Sequence, residues 1–292
     1  MHSGSRLMAL AAMTGAFLSG GAALAATINN PFDIQVSFGS GLSVSQQSVF
    51  TDAELFWETM ITGNRYDLAL PALQISADSA PDDGVGGVLG SAGPSTIART
   101  NGAPQDYTYA LSGNMNFDSA DIANMESSGI LFDVIVHEMA HVIGFGTLWN
   151  PIVYSSSFAG TQSVYTDGTG QYTGSYALLA YNLEFGLSTS YVPVELDFGP
   201  GTANGHWDEA TFAGGSLDIM TGLIGNPTAA ADAPFAATTV SATTIASFAD
   251  IGYTTVVTDP VSTVPLPAAM VFSLIGLAGL GAVSARRRRA AA

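Results

Sequence analysis

The run His137-Glu138-Met139-Ala140-His141 constrains this chain more than any other feature. It sits in an apolar stretch that begins at Ile130 and closes at Gly144. Residues four apart share one helix face, so both imidazoles can reach a single metal ion. Glu138, between them, stands where it can polarise a water held by that ion and later protonate a leaving group. Ile130, Leu131, Phe132, Val134 and Ile135 predict a buried helix body, and Gly144 predicts its end. A helix that carries this spacing by chance is the plain alternative.

The histidine inventory narrows the ligand set. The chain holds four histidines: His2, His137, His141 and His206. His2 falls in a leader-like segment, and a catalytic zinc site uses three protein ligands plus a water. If a third histidine ligand exists, it is His206.

A long-form zinc motif would place a third histidine shortly after Gly144, but Thr147 stands there. The pattern His137-Glu138-x-x-His141-x-x-Gly144-Phe145 resumes at Gly205-His206-Trp207-Asp208-Glu209, and Leu217-Asp218-Ile219-Met220-Thr221-Gly222 follows. From Phe32 to Tyr253 this arrangement resembles the leishmanolysin-like branch of the metzincin metallopeptidases. The resemblance implies an α+β, metzincin-like zincin fold. Its N-terminal lobe would hold a twisted mixed sheet and the active-site helix, and its C-terminal lobe would be irregular. It also implies Zn²⁺ on His137, His141 and His206, with Glu138 as general base and Met220 packed beneath the metal. A sheet edge near Tyr107–Phe117 would bind the substrate backbone by strand addition. Two departures stand out. Thr221 and Gly222 occupy the places where some metzincins carry a tyrosine, and no cysteine exists to form disulfides or a latency switch.

Composition bounds the partners. There is no lysine, and only Arg65 and Arg99 accompany the 24 acidic residues, all of which lie between Asp33 and Asp259. Such a body repels nucleic acid and anionic membranes. An acidic solvated surface, or adaptation to salt or divalent cations, explains the balance.

Along the chain, residues 1–25 read as a signal peptide, with an uncleaved anchor as the alternative. Residues 26–257 read as the catalytic domain and 258–263 as a linker. Phe32–Phe38 alternates as a half-buried strand, and helical spacing predicts a helix over Ser45–Ile61 that Gly63 and Asn64 end. Leu68–Leu70 and Leu73–Ile75 read as strand pieces, Pro81–Gly87 as a loop, and Tyr107–Phe117 as the strand beside the active site. Asp82 and Asp83 are weighed as calcium ligands against a plain turn. Asp118 to Asp121 offer helix caps, and Asp208 or Glu209 could orient a ligand imidazole or simply face solvent. The 64 residues between His141 and His206 are too long for a bare loop and predict structure of their own. A helix is expected through Ile245–Ile251.

Residues 264–292 form a separate signal: Val264-Pro265-Leu266-Pro267-Ala268, an apolar run to Ala285, and Arg286 to Arg289. The run is just long enough to span a bilayer, with its arginines on the cytoplasmic side. This order resembles the VPLPA variant of bacterial PEP-CTERM sorting tails. The resemblance implies an exosortase-type processing partner, transient or permanent membrane anchoring, and export from a Gram-negative bacterium to the cell surface or beyond. An exported endopeptidase is the function these features imply together. A surface or biofilm-matrix adhesion protein with an idle zincin scaffold is the alternative, although such a scaffold has no need of Glu138. Hydrolysis of a non-peptide ester or amide by the same chemistry is a second one.

Overall fold

Residues 31–100, 104–212, 218–224 and 239–257 are described by a computed structural model. The expected leader, linker and sorting tail lie outside the described residues. Among the described residues no helix is long and apolar enough to cross a membrane.

Strand β1 (Ile34–Phe38) runs into helix α1 (Val44–Met60). A capping box starts that helix: Ser43 Oγ accepts from Gln46 N, and Gln46 Oε1 accepts from Ser43 N. Strands β2 (Ile61–Asn64), β3 (Leu73–Ala80), β4 (Gly90–Arg99) and β5 (Thr108–Asp118) follow. Helices α2 (Ile122–Ser128) and α3 (Leu131–Ile143) come next. The later part has short elements: β6 (Gln171–Tyr172), α4 (Ser175–Phe185), β7 (Val192–Pro193), α5 (Glu209–Phe212), α6 (Ala242–Asp250) and β8 (Tyr253–Thr255).

The main sheet is mixed, in the order β1-β3-β5-β4. β1, β3 and β5 are parallel, and β4 returns antiparallel along β5, pairing Gly90 with Phe117 and Arg99 with Thr108. β3 alternates cleanly, burying Leu73, Ile75 and Ala77 against the helices. The architecture is therefore mixed α+β with a twisted sheet.

Two edges of this sheet are treated differently. At β1, the Glu58 and Glu54 carboxylates of α1 accept hydrogen bonds from Ile34 N (2.9 Å) and Val36 N (3.1 Å). Those outward N–H groups are thus closed to any other strand. At β4, nothing among the described residues pairs with the outer side, and Leu89 to Ala92 line a cleft.

The helices lock onto one another through aromatic groups. Trp57 of α1 is fully buried, and its Nε1–H donates to Val136 O of α3 at 3.0 Å. Phe145, Trp149, Tyr172, Trp207 and Phe212 form a second aromatic nucleus, with Trp149 and Trp207 stacked at 5.1 Å.

Several expectations need correction. α1 ends at Met60, and Gly63 and Asn64 belong to β2, which pairs antiparallel with β8. Leu68–Leu70 is not a strand; Asn64 Oδ1 accepts from Leu68 N, and Asn64 Nδ2 donates to Leu68 O, which folds the segment as a turn. Asp118 and Asp121 make no side-chain helix cap. They hold the Pro81–Gly87 loop instead: Asp118 Oδ2 accepts from Asp83 N and Gly84 N, and Asp121 accepts from Gly86 N. Asp83 itself accepts from Val88 N. Asp82 and Asp83 thus lie in a turn held by backbone N–H groups.

Candidate metal centre

Helix α3 presents the first two histidines because it is buried nearly throughout. Eleven of its 13 residues are buried, including His137, Glu138 and His141. Gly144 stops it with φ 141°, and its last carbonyls are satisfied from outside the helix by Thr147 Oγ1 on His141 O and Tyr253 OH on Ile143 O.

His206 arrives from the opposite wall, carried by its neighbour. Trp207 is fully buried in the aromatic nucleus, and its Nε1–H donates to Thr244 Oγ1 at 2.8 Å. Close approach of this segment to α3 needs a bare backbone. Gly146 has φ 71°, and a Cβ there would run into the carbonyl of Gly205, the residue before His206.

The outcome is a triangle of imidazole nitrogens. Nε2 of His137 lies 3.1 Å from Nε2 of His206 and 3.1 Å from Nε2 of His141, and the last pair is 3.0 Å apart. Each ring's Nδ1 faces a backbone carbonyl: Ile219 O at 2.6 Å for His137, Phe145 O at 2.9 Å for His141, and Thr202 O at 2.9 Å for His206. A carbonyl only accepts, so Nδ1 carries the proton in all three rings. Three Nε2 lone pairs therefore point into one small space.

Protonation does not relieve that crowding. Burial, reinforced by His141 and His206, holds His137 well below the usual imidazole range. Burial and His141 hold His206 down to about 3, and burial lowers His141. Neutral, convergent, carbonyl-oriented imidazoles are what a metal ion requires. Among the described residues this is the only group of three or more His, Cys, Asp or Glu side chains whose ligand atoms converge. The residues present fit a metal ion.

Glu138 lies in the same cleft wall, and burial pushes its carboxyl up to about 8. Met220 is fully buried on the turn whose Ile219 carbonyl receives His137. Asp218, also buried, shapes that turn by accepting from Met220 N, Ser241 N and Thr244 Oγ1, which ties it to the start of α6.

Asp208 and Glu209 do not orient an imidazole. Asp208 accepts from Thr211 N and Oγ1, and Glu209 Oε1 accepts from Leu223 N. Carbonyls do the orienting, and no side-chain pattern announces them. The strand that lines the cleft beside the three histidines is β4; β5, which holds most of Tyr107–Phe117, lies next to it in the sheet and packs on α3. The cleft, about 1410 Å³, runs between Leu89–Ala92 and a far wall that includes Tyr154, Tyr165 and Asn204. Two links brace that wall: Asn204 Oδ1 accepts from Tyr165 OH at 2.6 Å and from Gly168 N at 2.7 Å.

Comparison with protein-family models gives no match, and comparison with curated proteins gives no significant match.

Proposed function

We propose that the protein is a zinc-dependent endopeptidase of the leishmanolysin-like metzincin kind. The observation that carries this reading is the convergence of His137, His141 and His206 beside Glu138, in a cleft one wall of which is a strand edge that no described residue pairs with. His137, His141 and His206 would hold the ion through Nε2, with Met220 packed on the turn below. Bound zinc supplies Lewis acidity, which lowers the pKa of water toward neutrality and polarises a scissile carbonyl.

The chain's own residues do the rest. The outer side of β4 at Leu89–Ala92 offers backbone groups to an extended peptide, which aligns its scissile bond along the cleft. Glu138 takes a proton from the attacking water on its carboxylate oxygen and returns it to the leaving amine nitrogen. Its burial suits a base that must hold a proton near neutrality; positive charge at the histidine triangle would draw its pKa down. The Nδ1–H···O=C bonds fix each imidazole's tautomer and direction. The sorting-tail motif at residues 264–292 supports export and exosortase-type processing as part of the same reading.

The test uses the full-length protein with its tail in detergent. Hydrolysis of casein and of a quenched peptide library is compared for wild type and Glu138→Ala at equal zinc content. Activity lost in the variant and on chelation is the expected result. Metal-loaded wild type that cleaves no peptide while it hydrolyses esters, or that cleaves nothing, would sink the endopeptidase reading; the latter result would favour the idle scaffold.

A further inference from the structure

The Glu138 carboxylate poses a question of orientation. The residue is largely buried in the cleft wall, and burial alone, with no hydrogen bond from a described residue, accounts for its raised pKa. A glutamate has three side-chain torsions, and a base that is not held points in several directions. Packing against a neighbouring surface is what can restrict this one.

The neighbouring surface is the backbone of Gly90, the first residue of β4. A Cβ placed on Gly90 would stand 3.2 Å from Glu138 Cγ and 3.3 Å from Glu138 Oε1, with Phe117 Cδ1 at 3.2 Å on its other side. Those separations lie inside ordinary carbon contact, so an added methyl would push the carboxylate aside. Gly93, three residues along the same strand, has nothing within 4 Å of the corresponding position. The close fit is therefore local to Gly90.

Gly90 is itself held firmly. It pairs with Phe117, and Leu89 O accepts from Asp118 N at 3.1 Å. The loop that precedes it is pinned to Asp118 and Asp121 by the N–H groups of Asp83, Gly84 and Gly86. The wall against Glu138 is thus a hydrogen-bonded strand that cannot easily retreat.

We propose that Gly90 is a positioning residue for Glu138: the missing side chain at this point leaves the space that the carboxylate needs to keep its orientation along the cleft wall. The catalytic consequence rests on the endopeptidase reading, whereas the packing claim does not. Because Leu89–Ala92 also line the substrate side of the cleft, the same strand sets the base and the peptide that the base serves.

The experiment is a double-mutant cycle on full-length, zinc-loaded protein, read by thermal unfolding and by peptide kinetics. Gly90→Ala should lower the melting temperature when Glu138 is present and lose part of that effect in a Glu138→Ala background, where only the contact with Phe117 Cδ1 remains. Gly93→Ala should be additive with Glu138→Ala. In kinetics, Gly90→Ala should lower kcat about tenfold or more with little change in KM and unchanged zinc content, since a misplaced group costs rate and not ground-state binding. Additive melting shifts for Gly90→Ala and Glu138→Ala would overturn the packing claim even in an active enzyme. Coupling in an inactive protein would uphold that claim while the endopeptidase reading failed. Zinc loss in Gly90→Ala would refute the proposal, because the residue would then act on the ligands.

Discussion

Gly146 decides whether the third histidine can come within reach of the other two. Its φ of 71° and its contact with the Gly205 carbonyl leave no room for a side chain. Gly146→Ala should therefore move the His206 segment away from α3. We expect zinc affinity to fall ~10–100-fold, the range seen when ligand-orienting partners are lost. Competition with a chromophoric chelator would measure it, and an unchanged dissociation constant would refute the geometry. At this scale the three converging histidines were readable in the chain, since His137 and His141 share a helical face and His206 is the one other histidine among the described residues. Their orienting partners were not. Ile219, Phe145 and Thr202 act through carbonyl oxygens that every residue possesses, so no side-chain pattern marks them.

At the scale of elements, α1 and α3 were legible because their apolar residues recur at helical spacing and face one core. β4 was not. Its residues Gly90-Ser91-Ala92-Gly93-Pro94-Ser95-Thr96 carry little hydrophobic signal, and Pro94 argues against a strand anywhere but on an edge. An edge is where it lies. The role of Asp118 and Asp121 is hidden for a related reason: a cap for a helix and a clamp for a glycine loop use the same acceptor chemistry, and only the tertiary fold selects between them. The α1–α3 contact can be tested alone. Trp57→Phe removes the donor to Val136 O and part of a fully buried ring. We expect a loss on the order of 2 kcal/mol in urea unfolding with zinc affinity retained. A variant as stable as wild type would show that the indole does not hold the helices together.

For the whole molecule, pH tests how buried acids share the work of folding. Asp250 of α6 accepts from Tyr176 N (2.8 Å), Ala177 N (2.9 Å) and Tyr172 OH (3.1 Å), joining α6 to the start of α4. Burial nevertheless raises its pKa from 3.8 to about 6. The folded protein therefore binds this proton more tightly than the unfolded chain does. Its contribution to stability is full below about pH 4 and is lost as pH rises through 6. Between pH 4 and pH 7, wild type should lose on the order of 2 kcal/mol relative to Asp250→Asn, which cannot titrate. Parallel stability curves for the two proteins would contradict this.

The unequal sheet edges carry one more consequence. Growth of a cross-strand stack needs every added unit to offer a fresh edge to the next. Here Glu54 and Glu58 take the outward N–H groups of Ile34 and Val36 on β1, so a second copy that docked its own β4 on the open strand would present an edge with those donors already used. Pairing through these edges is disfavoured beyond two copies. The open side of β4 therefore exists without making the sheet a seed for fibres.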